Sequence, residues 1–132
     1  MEPKSKNSSS EIDIASANSY IMKGLENVMK QNSNMAISDF SQAIELNPQS
    51  EEAYSFRAAE YRKTYNWDKA IFDYSRAIDL KKSDSNYASR GCAYIMVEKY
   101  KEARNDLETA LRINKDNDEA IQSLALLESI GY

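Results

Sequence analysis

One segment of the chain occurs three times at an almost constant interval, and this repetition restricts the fold more than any other feature. The copies begin at Ala36, Ala70 and Ala103 and read AISDFSQAIEL, AIFDYSRAIDL and ARNDLETALRI. Their starting points are 34 and then 33 residues apart. A period of this length, with one helix-like segment in each copy, indicates stacked structural repeats rather than a single globular core.

Two sets of regularly spaced residues predict that each repeat is a pair of helices. In the recurring segment, Ala36, Phe40 and Ala43 are separated by four and then three positions, which places them on one helix face. In the segment before it, a small residue follows an aromatic one after four positions, so that two helices can approach closely. These pairs are Tyr20 and Gly24, Tyr54 and Ala58, and Tyr87 and Gly91.

The pattern resembles the tetratricopeptide repeat family over roughly residues 17 to 117. The third copy, YASRGCAYIMVEKYKEA from Tyr87, is the clearest match. The first copy departs most, because Asn27 stands where an aromatic residue is usual and Ser33 where Tyr or Trp is usual. The resemblance implies an all-α fold, a right-handed superhelix (α-solenoid) of three helix-turn-helix repeats closed by a seventh, capping helix.

The repeat register also predicts the domain boundaries. Residues 1–10 are polar and rich in Ser, so we expect a disordered tail followed by a single domain over residues 11–130. Within this domain we expect repeats at about residues 17–50, 51–83 and 84–117, and a capping helix at about 118–130. Ile12 and Ile14 either extend the first helix or fold over a neighbouring surface, and the sequence leaves both arrangements open.

Composition argues against several classes of function. The 17 Lys and Arg against 21 Asp and Glu give a net charge of −4, whereas a nucleic-acid protein presents a concentrated basic face. The chain has no His and a single Cys, which removes His-based acid–base relays, Cys–His nucleophiles and zinc sites. We therefore predict that it is not an enzyme and needs no cofactor or metal. No apolar run is long enough for a membrane span, no secretory signal is evident, and the single Cys fits a cytoplasmic location.

Two rows of charged residues follow the repeat period. The basic row is Lys23, Arg57 and Arg90, and the acidic row is Asp39, Asp73 and Asp106. A basic row alone would suggest anion binding. Two rows of opposite sign in the same register instead predict helix-to-helix ion pairs, in which Arg57 has either Asp73 or Asp39 as its partner.

The family resemblance implies that the first helix of each repeat lines a concave groove that holds an extended peptide or a partner helix. In this sequence the groove is expected to be apolar and rich in Met, with a basic spot at Arg62 and Lys63, which suits an amphipathic or apolar segment. The alternative is that Ile12 and Ile14 cover its first part. The predicted groove residues are Met22, Leu25, Met29, Phe56, Arg62, Lys63, Cys92 and Met96.

A subset of the family clamps the acidic C-terminal tails of cytosolic heat-shock chaperones with Lys, Asn and Arg side chains. The positions here that match this clamp are Ile21, Leu25, Phe56, Ser85 and Ser89. Because none of them carries the required amide or cationic group, we predict no chaperone carboxylate clamp.

The closing helix carries more apolar residues than packing on one side requires. Ile121, Leu124 and Ala125 are predicted to face the third repeat. Leu126, Leu127 and Ile130 widen the apolar stripe and form a candidate surface for self-association. The sequence thus predicts a non-enzymatic protein-interaction module or scaffold, with a homo-oligomer built through the closing helix or the groove as the alternative.

Overall fold

The computed structural model describes residues 4–132, with the side chains from Ser10 onward apart from that of Ile12. Within this range the chain forms seven α-helices and no strand, which confirms the predicted all-α repeat architecture. The helices are α1 (Lys4–Met29), α2 (Ser33–Leu46), α3 (Glu51–Lys63), α4 (Trp67–Leu80), α5 (Asp84–Met96), α6 (Tyr100–Ile113) and α7 (Asp118–Ser129).

The helices pack in the order of the chain. The pairs α1 with α2, α3 with α4, and α5 with α6 form the three repeats, and α2 with α3 and α4 with α5 join one repeat to the next. Helix α7 packs against both α5 and α6, so it takes the place that the first helix of a fourth repeat would have. Each repeat therefore covers its neighbour's apolar face, as expected for a solenoid.

The small residues of the first helices are required by close packing. A Cβ atom added to Gly24 would overlap the ring of Phe40, and one added to Gly91 would lie 2.8 Å from Leu107. In the second repeat the same position holds Ala58, which is buried beside Tyr74. The spacing of aromatic and small residues thus reports a real constraint on how near the two helices of a repeat can lie.

Side chains cap three of the helices. Ser50, Ser83 and Asn117 each accept a hydrogen bond from a backbone N–H in the first turn of α3, α5 and α7, at 3.3, 3.2 and 2.9 Å. Such caps satisfy donors that the helix itself leaves unpaired. They define where the first helix of the second and third repeats, and the closing helix, begin.

The predicted ion pairs form in the second and third repeats. Arg57 donates two hydrogen bonds to Asp73, both 2.7 Å long, and Arg90 donates two to Asp106, 2.7 and 2.8 Å long. Each guanidinium also reaches the preceding repeat, through Ser41 at 3.0 Å and Ser75 at 3.1 Å. Arg57 and Arg90 therefore each join three helices of the stack, and their guanidinium groups are occupied by partners within the chain.

The first repeat uses different partners. The carboxylate of Asp39 accepts a hydrogen bond of 2.7 Å from Asn27, and the ammonium of Lys23 lies 4.9 Å from the centre of the Tyr20 ring. The expectation that the whole basic row forms ion pairs is thus wrong for Lys23. An amide one turn further along α1 reaches the carboxylate instead, and the flexible Lys side chain stays exposed.

The N-terminal part of the chain differs from the expected disordered tail. Residues 4–10, expected as a disordered tail, lie in the first turns of α1, and residues 1–3 lie outside the described part. Ile14 extends α1 backwards, since it belongs to the same continuous helix as Ile21.

The closing helix is rotated differently from the prediction. Leu127 is wholly buried, in a cluster with Ala103 and Leu107, so it cannot belong to an exposed surface. Ile121 was expected to face the third repeat but is about half exposed. Leu124 does pack against that repeat, whereas Ala125 is exposed. Apolar residues lie on several sides of α7, so their spacing in the sequence does not define which side is buried.

Candidate functional site

The predicted groove residues of α1 and the first part of α3 do not form one pocket. Met22 and Met29 are exposed. Leu25 and Phe56 are partly buried and pack against the core of the first repeat, where the rings of Phe56 and Phe40 lie 5.6 Å apart. These two residues therefore contribute mainly to the stack.

A pocket of about 210 Å³ lies where α3, α5 and α7 meet. It brings together three predicted groove residues, Arg62, Cys92 and Met96. The remaining lining residues are Trp67, Ile95, Ser123 and Leu126. Its walls are largely apolar, and Met96 and Leu126 are 55% and 51% exposed although they lie beside the cavity.

Sequence reasoning did not assign three side chains of this pocket to the groove, although Leu126 was part of the predicted self-association surface. Trp67 is the first residue of α4, in the register of Ser33 and Tyr100, where the pattern suggested only a scaffold role. Ser123 and Leu126 belong to α7, which was expected to be a cap. Treating α7 as the first helix of a fourth repeat would have placed its residues at the groove.

A second opening of about 480 Å³ adjoins the first and shares Arg62 and Trp67 with it. It is also lined by Lys63 and by Tyr74, whose side chain reaches it from α4. Burial raises the pKa of Tyr74, although the charge of Arg62 and the hydrogen bond to Ser89 act in the opposite direction. The phenol is therefore neutral and serves as a polar contact in the wall of the groove.

The two cations of the predicted basic spot both have partners within the chain. Arg62 donates a hydrogen bond of 2.9 Å to Glu119 on α7, and Lys63 lies 2.8 Å from the carboxylate of Glu60. Glu60 is buried and also accepts a hydrogen bond of 3.0 Å from Ser33. The charge of the basic spot is thus compensated, a correction to the sequence analysis.

The pair of Arg62 and Glu119 connects helices that are not neighbours in the stack. Arg62 lies on α3 and Glu119 on α7, so the pair spans the groove face of α5. Burial lowers the pKa of Arg62, but the neighbouring groups, Glu119 foremost, together raise it more, so the pKa lies above its ordinary value. The guanidinium is therefore charged at every physiological pH.

Cys92 lines the pocket, as predicted, without the properties of a nucleophile. Its Sγ lies 2.9 Å from the Oγ of Ser123, which ties α5 to α7. Burial raises the pKa of the Cys92 thiol to about 11. Since the thiolate is the reactive form, the side chain acts at neutral pH as a small neutral wall residue.

This face thus combines a largely apolar pocket with two cations that have partners within the chain. No helix in the described part of the chain combines the length and hydropathy that crossing a membrane requires.

The tetratricopeptide repeat family model matches residues 17–50 and 85–117, just over half of the chain. No curated protein matches the sequence. Among solved structures, the tetratricopeptide repeat (TPR) domain of Arabidopsis OM64 is 25% identical with a TM-score of 0.86, covering 89% of this chain and 98% of that one.

Two further solved structures illustrate the range of similar proteins. The second TPR domain of Spaghetti (RPAP3), bound to the HSP90 peptide SRMEEVD, is 27% identical with a TM-score of 0.73 and covers 75% of this chain and 93% of its own. MamA is 23% identical with a TM-score of 0.83, covering 87% of this chain and 68% of its own. These likenesses confirm the predicted solenoid of three repeats and a capping helix.

Proposed function

Because this chain belongs to the tetratricopeptide repeat family, we propose that it is a protein-interaction module that binds a peptide or partner helix on its concave face. Binding involves no chemical step. The site is the pocket between α3, α5 and α7, together with the adjoining opening beside Arg62 and Tyr74.

The observation that carries this proposal is the exposed apolar pocket. Ile95, Met96 and Leu126 line it together with Trp67. Ile95 also packs against the core of the third repeat, whereas Met96 and Leu126 remain about half exposed. Exposed apolar surface around a cavity marks a site where a partner's side chain can be buried. Methionine suits such a site, because its flexible thioether adapts to apolar groups of different shape.

We propose further that the ligand is recognised by apolar contacts and not by a carboxylate clamp. The second TPR domain of Spaghetti (RPAP3) is bound to a peptide ending in Glu-Glu-Val-Asp. At the clamp positions of this chain, Ile21 is buried, Phe56 packs against Phe40, and Ser89 is only partly exposed. None of these side chains can supply the positive charge that a terminal carboxylate requires.

Selection from a displayed library of random peptides tests the site. The peptides that bind the wild-type protein are expected to share large apolar residues and to lose binding to Met96→Glu, because a buried carboxylate would oppose their entry. Met35→Glu is the matched control, since Met35 is also 55% exposed but lies on α2. If the library yields no binders, or if its binders tolerate Met96→Glu as well as Met35→Glu, the proposed function is wrong.

Titration calorimetry with the peptide SRMEEVD tests the absence of a clamp. We expect amidation of the terminal carboxylate to leave any binding of this peptide unchanged, because the chain has no clamp for that group. Micromolar affinity that disappears when the terminal carboxylate is amidated would contradict this part of the proposal.

Self-association is a second candidate function. Leu126 lies on α7 and Ile130 follows four residues later at the C-terminal cap of this helix, and each is about half exposed. A second copy packed there would cover both side chains and close the mouth of the pocket. Sedimentation over a range of concentrations tests this: a dimer that Ile130→Glu dissociates supports it, and a monomer at every concentration excludes it.

A further inference from the structure

Resting on the proposed function, we propose that the partner segment carries an acidic residue beside its apolar anchor, and that Glu119 is an internal competitor for it. In the free protein Glu119 occupies Arg62, the cation that would pair with the acidic residue of the ligand. The partner class is therefore a peptide segment in which Asp or Glu adjoins a large apolar side chain.

The geometry of the pair differs from that of the structural ion pairs. Arg57 and Arg90 each hold both oxygens of an Asp carboxylate through two nitrogens. Arg62 contacts Glu119 through one hydrogen bond, from Nη1 to Oε1. A ligand carboxylate that engages the guanidinium fork with both oxygens would form a stronger contact than Glu119 does.

The solvent exposure of Arg62 and Glu119 also indicates that a ligand can displace Glu119. The side chains of Arg62 and Glu119 are 35% and 38% exposed, whereas those of Asp73 and Asp106 are 1% and 3% exposed. An ion pair between partly hydrated groups contributes little to stability, because water and salt screen it. Replacing Glu119 by a ligand carboxylate at Arg62 therefore has little effect on the stability of the fold.

The repeat register shows that Arg62 is not part of the scaffold. The positions one repeat before and after it hold Val28 and Ile95. Arg57 and Arg90, by contrast, recur at the same position and build the stack. Arg62 is thus a cation placed singly in an otherwise apolar row of the groove.

The location of Arg62 determines which chemical groups the ligand must carry. Arg62 lines both the apolar pocket and the adjoining opening, so a carboxylate bound there lies next to the walls formed by Ile95 and Met96. Lys63 does not add a second anion site of equal quality, because Glu60 already holds its ammonium at 2.8 Å. The site therefore selects one acidic group next to one apolar group.

The experiment compares two short probes, acetyl-Leu-Glu-Leu-amide and acetyl-Leu-Gln-Leu-amide, by NMR titration of the isotopically labelled protein. The Glu probe should bind the wild type more tightly than the Gln probe. Glu119→Gln should increase affinity for the Glu probe by roughly threefold to tenfold, since the competing carboxylate is gone, and leave the Gln probe unchanged. Arg62→Gln should abolish the preference for Glu.

Glu128→Gln is the matched control, because Glu128 is an exposed residue of the same helix and the change in net charge is identical. It should leave both affinities unchanged, and thermal unfolding should show that each variant is folded. Equal affinities of the two probes, or no gain on Glu119→Gln beyond that of the control, overturn the competitor proposal while leaving groove binding intact. Failure of both probes to shift signals around the pocket contradicts the proposed function itself.

Discussion

The ion pair between Arg90 and Asp106 should be one of the most strongly coupled interactions in the protein. Both hydrogen bonds are shorter than 3 Å, and the Asp106 side chain is 3% exposed. Arg90 is held further by Ser75 and lies between the rings of Tyr87 and Tyr94. The pKa of Arg90 is raised, mainly by the hydrogen bond to Asp106, so the guanidinium is charged in the folded state.

Asp106→Ala would leave a largely buried guanidinium without its carboxylate. We expect a loss of about 3–5 kcal/mol in the free energy of unfolding, because an unpaired charge remains in a poorly hydrated place. In the double variant with Arg90→Met, much of this loss should be recovered, so that the coupling energy reaches about 2 kcal/mol. Urea unfolding followed by circular dichroism of the wild type, both single variants and the double variant provides the four free energies of the cycle.

The same helix offers a matched comparison. Arg104 and Glu108 form an exposed pair on α6 at 3.2 Å, four residues apart. Its coupling energy should be only about 0.3–0.5 kcal/mol. If the cycle for Arg90 and Asp106 yields no more coupling than this exposed pair, the reasoning that assigns the charged rows to the scaffold is refuted.

Three further outcomes follow from the packing. Gly24→Ala should destabilise the fold by about 1–3 kcal/mol in urea unfolding, since the new methyl group overlaps Phe40; an unchanged midpoint would contradict the close approach. Leu127→Ala should cost about 2–5 kcal/mol and Leu126→Ala less than about 1 kcal/mol, because only the former side chain is buried; equal losses would reverse the assignment. Alkylation of Cys92 by iodoacetamide should be slow at neutral pH and become faster as the pH approaches the thiol pKa of about 11, so rapid alkylation at neutral pH would contradict the burial of Cys92. Because the thiol ionises more readily in the unfolded chain, the free energy of unfolding should fall as pH rises from 9.0 to about 11.

The scaffold could be predicted because its contacts recur at constant sequence distances. Arg57 and Asp73 are 16 residues apart, and so are Arg90 and Asp106. A contact made inside each repeat appears in the sequence as a row of matching residues. The exception, Asp39 with Asn27 in place of Lys23, falls in the repeat that departs most from the pattern.

The candidate site could be predicted only in part. Arg62, Cys92 and Met96 were found because they lie on the first helices of repeats. Trp67 was not, since it lies at the start of a second helix and only the stacked structure shows that its ring reaches the groove. The compensation of Lys63 by Glu60 was also missed, although the two residues are only three positions apart.

The sequence by itself determined the number and kind of helices, their pairing, and the charged residues that join the two helices of the second and third repeats. These follow from local periodicity, because each helix buries the face that its own residue spacing defines. The tertiary structure alone decided which of the adjacent residues Leu126 and Leu127 is buried, and it brought Arg62 to Glu119 across 57 residues. The burial of Leu127 depends on how α7 is rotated, and the contact of Arg62 with Glu119 depends on how the repeats stack. The residue spacing within a single repeat encodes neither of these.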